Sequence, residues 1–104
     1  MPGTLTVILW RDIPAQVIAK DGRRASKVVL HPRFQVAIDK AAEKAGRKSM
    51  DDYIAEWHKE QRPCGDDLET AATEEASRLE HDYTKERLAR LVAAGGVAEA
   101  QRAT

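Results

Sequence analysis

Nucleophilic and metal-ligating chemistry in this chain would have to come from one cysteine and three histidines. Cys64 precedes Gly65-Asp66-Asp67, where a helix is expected to begin, and a thiol at a helix N-terminus is held partly as the reactive thiolate. The two aspartates beside it oppose that shift and no histidine neighbours it in sequence, so a structural cysteine is the better reading. His31, His58 and His81 could be assembled with Cys64 into a zinc set, but their spacings match no closed pattern such as paired CxxC. No metal and no cofactor is therefore expected. His31, just before Pro32 at a strand-to-helix junction, is placed to satisfy backbone groups. Trp10-Arg11-Asp12 is a dense cluster of large and charged side chains at a strand end. It could line a pocket with Trp57, although Trp57 as a core residue, with Arg11 and Asp12 as a loop ion pair, is the better reading. The chain has no glycine-rich phosphate loop, nucleophile elbow or helical HExxH, and no catalytic residue is assigned.

These residues must be positioned by the stretch from Lys27 to Trp57. Pro32, with its fixed φ and missing N–H, suits a first helical turn, and Phe34, Ala37, Ile38, Ala41, Ala42 and Ala45 follow as an unbroken inward stripe. Four of those six are alanines, so most of the buried area comes from Phe34, Ile38 and Trp57. Glu43 and Arg47 are spaced as an i,i+4 pair. Gly46 stops the helix. Ser49 caps the next, where Met50, Tyr53, Ile54 and Trp57 continue the apolar spacing up to Pro63. Phe34, Ile38, Ile54 and Trp57 are expected to meet in one dry interior.

Upstream, Leu5 to Trp10 reads as a strand covered on both sides. Pro14 interrupts, Ala15 to Lys20 forms a second strand, and Asp21-Gly22 turns the chain into a third, Ala25 to Leu30. Downstream, Asp66 or Asp67 caps a helix whose stripe is Leu68, Ala72, Ala76, Leu79 and Tyr83. A continuous helix from Asp67 to Ala94 would run about 42 Å at 1.5 Å per residue. A globule of this size is only about 33 Å across. The helix must therefore break near 82–84, where the stripe shifts onto Leu88, Leu91 and Val92, or project beyond the body. The expectation is an α+β domain over 1–96 with a frayed tail over 97–104. A small three-stranded, mostly antiparallel sheet (about 4–10, 15–20 and 25–30) precedes three or four helices (about 32–45, 49–60, 66–82 and 84–94).

Composition narrows the function classes. A chain of 104 residues with one cysteine forms one domain without an internal disulfide. No signal-type leader and no membrane-length apolar run is present, so a cytoplasmic protein off the membrane is expected. Charges sum to zero, which argues against generic affinity for nucleic acid or anionic lipid. They are unevenly spread: residues 1–62 hold twelve Lys or Arg against eight Asp or Glu, and residues 63–104 hold five against nine. Solvated faces would explain that split, and so would a surface that docks a partner. The overlong helix and the charge split together favour a protein partner. The residues expected to meet it are Trp10, Arg11 and Asp12 at the sheet end and Asp66, Asp67, Glu74 and Glu75 on the acidic helix.

Two resemblances add to this reading. Lys27 to Trp57 resembles a ribbon-helix-helix unit, in which paired strands enter the DNA major groove and the second helix's N-terminus, here Lys48 and Ser49, grips phosphate. It implies a dimeric DNA-binding regulator as the alternative function. Neither phase of the strand, Ser26, Val28 and Leu30 or Ala25, Lys27 and Val29, offers a good base reader. Over nearly the whole chain, Trp10-Arg11-Asp12-Ile13-Pro14-Ala15-Gln16-Val17-Ile18, Ala55-Glu56-Trp57, Pro63-Cys64-Gly65-Asp66-Asp67-Leu68 and Ala93-Ala94-Gly95-Gly96 resemble a family of small bacterial proteins labelled "virulence factor". That label carries no reaction and no functional residue. The resemblance implies a non-catalytic accessory protein accompanying folate- or corrinoid-dependent one-carbon enzymes.

Overall fold

The computed structural model describes residues 3–46 and 49–97. Four strands and four helices follow in the order β1 (Gly3–Trp10), β2 (Ile13–Asp21), β3 (Arg24–Val29), α1 (Pro32–Lys44), α2 (Met50–Ala55), β4 (Trp57–Cys64), α3 (Leu68–Asp82) and α4 (Lys85–Ala93). The fold is α+β, as expected, with one strand more than the sequence suggested. All pairings are antiparallel and the sheet order is β3-β2-β1-β4.

Along β1, Leu5, Val7 and Leu9 are buried while Thr4 is exposed and Thr6 and Ile8 are half-buried. This is the alternation of a strand with one covered face. β2 continues it with Val17 and Ala19. Pro14 does not end β2. A bulge lets the strand reach Ile13: Ile8 faces Gln16 but Leu9 faces Pro14, and the extra residue, Ala15, gives its carbonyl to the Leu30 N–H at 3.1 Å. Asp21 pairs with Arg24 across a two-residue turn whose first central residue is Gly22 at φ +60°. That is the left-handed conformation such hairpins need.

The largest departure from expectation is at 57–64. The helix begun at Ser49, whose hydroxyl accepts from the Asp52 N–H, stops after six residues, and Trp57 starts a strand along β1. The apolar spacing that suggested a helix to residue 60 is misleading. Met50 is 71% and Ile54 56% exposed. Only Tyr53 and Trp57 pack on the core, edge to face with ring centroids 5.9 Å apart. Phe34 and Ile38 lie in the dry interior as expected, at 1% and 0% exposure, and Ile54 does not.

The helix layer is built from α1, α3 and α4. α3 lies across β2 and β3 through Leu68, Ala72, Ala76 and Leu79, and α1 rests on β2 and packs against α4. The α1 start is tied to the α3 end: the His31 N–H donates to Glu80 Oε2 at 2.9 Å, and Arg33 Nη2 donates to the Glu80 carbonyl at 2.8 Å. The long downstream helix breaks where the stripe shifts. Tyr83 closes α3, and the Thr84 hydroxyl caps α4 by accepting from the Arg87 N–H at 3.2 Å. The expected tail, apart from Val97, the Glu43–Arg47 pair and the Lys48 phosphate contact fall outside the described residues.

Candidate functional site

Because the helices cover the β2–β3 side, the helix-facing side of β1 and β4 is left beside an open cleft. β4 is exposed along 58–63. The cleft floor is Leu5, Val7 and Leu9, its walls are β4 and α3, Arg87 of α4 closes one end, and its volume is about 380 Å³.

At its centre is Glu75, the one charged side chain buried among the described residues, at 4% exposure. It falls on the apolar side of α3, three residues after Ala72 and four before Leu79, which points the carboxylate toward the sheet. Arg62, opposite Leu5 in the β1–β4 register, donates through Nη2 to Glu75 Oε1 at 2.7 Å. Arg78, one turn along α3, donates through Nε to the same oxygen at 3.1 Å and through Nη2 to Oε2. Its Nη1 reaches Asp82 Oδ2 at 3.2 Å. Burial works against the charge on Glu75. The hydrogen bonds and fields of Arg78 and Arg62 outweigh that and hold its carboxyl below the usual range. At the far wall the Arg87 guanidinium lies 4.1 Å over the Tyr83 ring, and burial pushes the Tyr83 phenol up. The cleft is thus a fixed lattice of alternating charges above an apolar strip, suited to orienting a polar ligand or a partner's side chains.

The Trp10-Arg11-Asp12 cluster is built as a junction. Trp10 is fully buried, stacks on Tyr53 and donates its Nε1–H to the Tyr53 carbonyl at 2.9 Å. Arg11 adopts φ +53°, a strained value for a non-glycine residue. It is held there by Nη1 donating to Gly95 O at 3.0 Å, Nη2 pairing with Glu56 at 3.2 Å, and its own N–H donating to the Glu56 carbonyl. The Asp12 N–H donates to Gly96 O. The β1–β2 turn therefore ties together the ends of α2 and α4.

On α3 the other expected contacts separate. Asp67 is the N-cap, accepting from Thr70 Oγ1 at 2.8 Å and from the Thr70 N–H at 3.1 Å, and those bonds lower its pKa. Asp66 and Glu74 are exposed beside it, whereas Glu75 turns inward to the cleft. Cys64 is half-buried at the end of β4, opposite Gly3, three residues short of the cap. His31 caps α1, its Nδ1 accepting from the Arg33 N–H at 3.1 Å. The His58 ring contacts the Arg11 carbonyl, and His81 is exposed in the last turn of α3. Among the described residues no group of three or more His, Cys, Asp or Glu could hold a metal ion, and no helix is long and apolar enough to cross a membrane.

Arg62, Arg78, Tyr83 and Arg87 were absent from the sequence-derived site. The readable signal was Glu75 itself, a carboxylate within an apolar stripe with an arginine three residues on. The ribbon-helix-helix stretch also takes its own form. β3 pairs along one edge with β2 of the same chain, and α2 is a single short helix leading into β4.

The class these observations define is a small α+β domain with a four-stranded antiparallel sheet, helices on one face and a charged cleft at the uncovered side. The family model described as "Virulence factor" matches residues 8–92, and the chain belongs to that family. No curated protein and no solved structure matches it.

Proposed function

We propose that this protein is a non-catalytic accessory module that docks a partner protein along α3, over the Glu75 cleft and the acidic flank of Asp66, Asp67 and Glu74. The observation that carries the reading is the half-covered sheet: β4 stands exposed beside a cleft whose polar groups are already fixed in place. Arginines pinned by a buried carboxylate lose little freedom on binding, which is the condition for a strong interface anchor. Arg62 and Arg78 keep 56% and 53% of their side-chain surface exposed, so both can be reached while still holding Glu75. The Trp10-Arg11-Asp12 junction braces this arrangement from the other end of the sheet.

The family resemblance directs the choice of partner to folate- or corrinoid-dependent one-carbon enzymes. The test is co-purification of the chain with such an enzyme from the same cell, followed by titration calorimetry. A complex weakened about tenfold or more by Arg62→Glu or by Glu74→Lys is expected, since reversing a contacting charge removes one attraction and adds a repulsion. A complex indifferent to both variants, or no complex with any such enzyme, overturns the reading.

A further inference from the structure

A second surface lies on the helix layer, away from the cleft. Between α1 and α4 runs a groove of about 250 Å³ with Val36, Ala37, Leu88, Ala89 and Val92 as its floor and sides. The two alanines leave it shallow enough for a close approach, Leu88 is buried, and Val36 is 49% exposed. Its charged lining is Arg33, Lys40 and Lys85, with no acidic residue among the lining groups. In a chain of zero net charge, three cations around one apolar strip are a local excess.

We propose that this groove receives an acidic amphipathic helix of a partner protein, with apolar side chains on Val36 and Val92 and carboxylates against Arg33, Lys40 and Lys85. The inference rests on the accessory-module reading but uses a separate surface. Arg33 to Lys40 and Lys85 to Val92 each span about 10 Å, two helical turns. That length takes a helix presenting apolar residues at i, i+3 or i+4, and i+7, the usual geometry of a helix lying in a groove. An acyl chain needs an enclosing tunnel, and this groove is open along its length. A second copy of α3 is a poor occupant, because Leu68, Ala72, Ala76 and Leu79 are already buried against its own sheet.

The probe is a fluorescein-labelled synthetic helix of about four turns, with leucine at the groove-facing positions and glutamate flanking them. A control peptide carries lysine in place of each glutamate. Fluorescence polarisation and amide chemical-shift mapping follow binding to the full chain. The expected result is binding of the acidic peptide alone, with shifts confined to α1 and α4, weakening with added salt and at least about tenfold loss in the Lys40→Glu/Lys85→Glu double variant. Both lysines are exposed, so the variant keeps the fold, and near-UV circular dichroism checks this. Absence of binding, binding unaffected by the double variant, or a dimer of the chain that the double variant dissolves would each overturn the proposal. The two readings fail separately. Loss of the enzyme complex in Arg62→Glu with peptide binding intact supports the groove as a distinct site, whereas peptide binding without any enzyme complex leaves the groove standing and removes the cleft.

Discussion

Replacing Glu75 tests the cleft most directly. The carboxylate is 4% exposed and bonded to two guanidinium groups, and Glu75→Ala leaves those groups facing each other without the anion between them. Removing one partner of a fully buried ion pair costs about 3–5 kcal/mol. Exposed pairs contribute about 0–1 kcal/mol. Arg62 and Arg78 are each more than half exposed, so water takes up much of the released charge and the cost lies between these limits. A loss of about 1–3 kcal/mol is expected for Glu75→Ala and about 1 kcal/mol for Glu75→Gln, which keeps the shape and one acceptor. At about 4–8 °C per kcal/mol for a domain of this size, both losses are measurable by thermal or urea unfolding.

The pH dependence has a definite sign. A carboxyl held below its ordinary value of 4.5 in the folded state stabilises the fold fully above that value, and the contribution fades as pH falls toward the depressed native value. The gap between wild type and Glu75→Gln should therefore be constant near neutrality and narrow progressively below about pH 4.5. A cycle with Arg62→Gln isolates the β4 pairing from the Arg78 bonds. If Glu75→Ala stays within about 0.5 kcal/mol of wild type, or the gap persists unchanged to pH 3, the account of a paired, buried carboxylate is wrong.

Four further outcomes follow from the packing around the sheet end, the β2–β3 turn and the helix break. Trp10→Phe removes the Nε1 donor to the Tyr53 carbonyl and part of a fully buried ring, and urea unfolding should show a loss of about 1–3 kcal/mol. Gly96→Ala places a Cβ 2.9 Å from the Trp10 ring at φ +95°, so it should cost about 1–3 kcal/mol and alter the near-UV tryptophan signal, while Gly22→Ala, with open space around its Cβ, should cost only the backbone strain of about 1–2 kcal/mol. Thr84→Ala removes the cap that starts α4 and should cost about 0.5–2 kcal/mol, with amide exchange accelerated first at Arg87.

How much of this was legible follows from which contacts are local. The α1 stripe from Phe34 to Ala42, the Asp67 cap and the break at 82–84 depend on residues within a few positions of one another, and all three are found where their spacing puts them. β4 could not be read that way. His58, Lys59, Glu60, Gln61 and Arg62 show no alternation because both faces of the strand are wet, and its only reason to be extended is backbone pairing with β1 some fifty residues earlier. Missing β4 also hid the cleft. Without Arg62 on a neighbouring strand, the trace of the cleft left in the sequence is Glu75 alone, an acid set within the apolar spacing of α3. Met50 and Ile54 show the converse error, an apolar spacing that no tertiary surface uses.

The charge split along the sequence takes a different form in three dimensions. Arg62, from the basic portion, crosses to neutralise Glu75 in the acidic one, and Arg33 bonds the carbonyls of Glu80 and Tyr83. Lys85 leaves the acidic portion to join Arg33 and Lys40 at the α1–α4 groove. The fold thus converts a segregation in sequence into one neutral cleft, one acidic flank at the start of α3 and one cationic groove. Arg33 is held at those two carbonyls, while Lys40 and Lys85 stand exposed beside it with no acidic side chain in the groove lining. A ligand of opposite sign would be attracted to that lining, and this is the physical basis for proposing the cationic groove, rather than the exposed apolar pair on α2, as a docking surface.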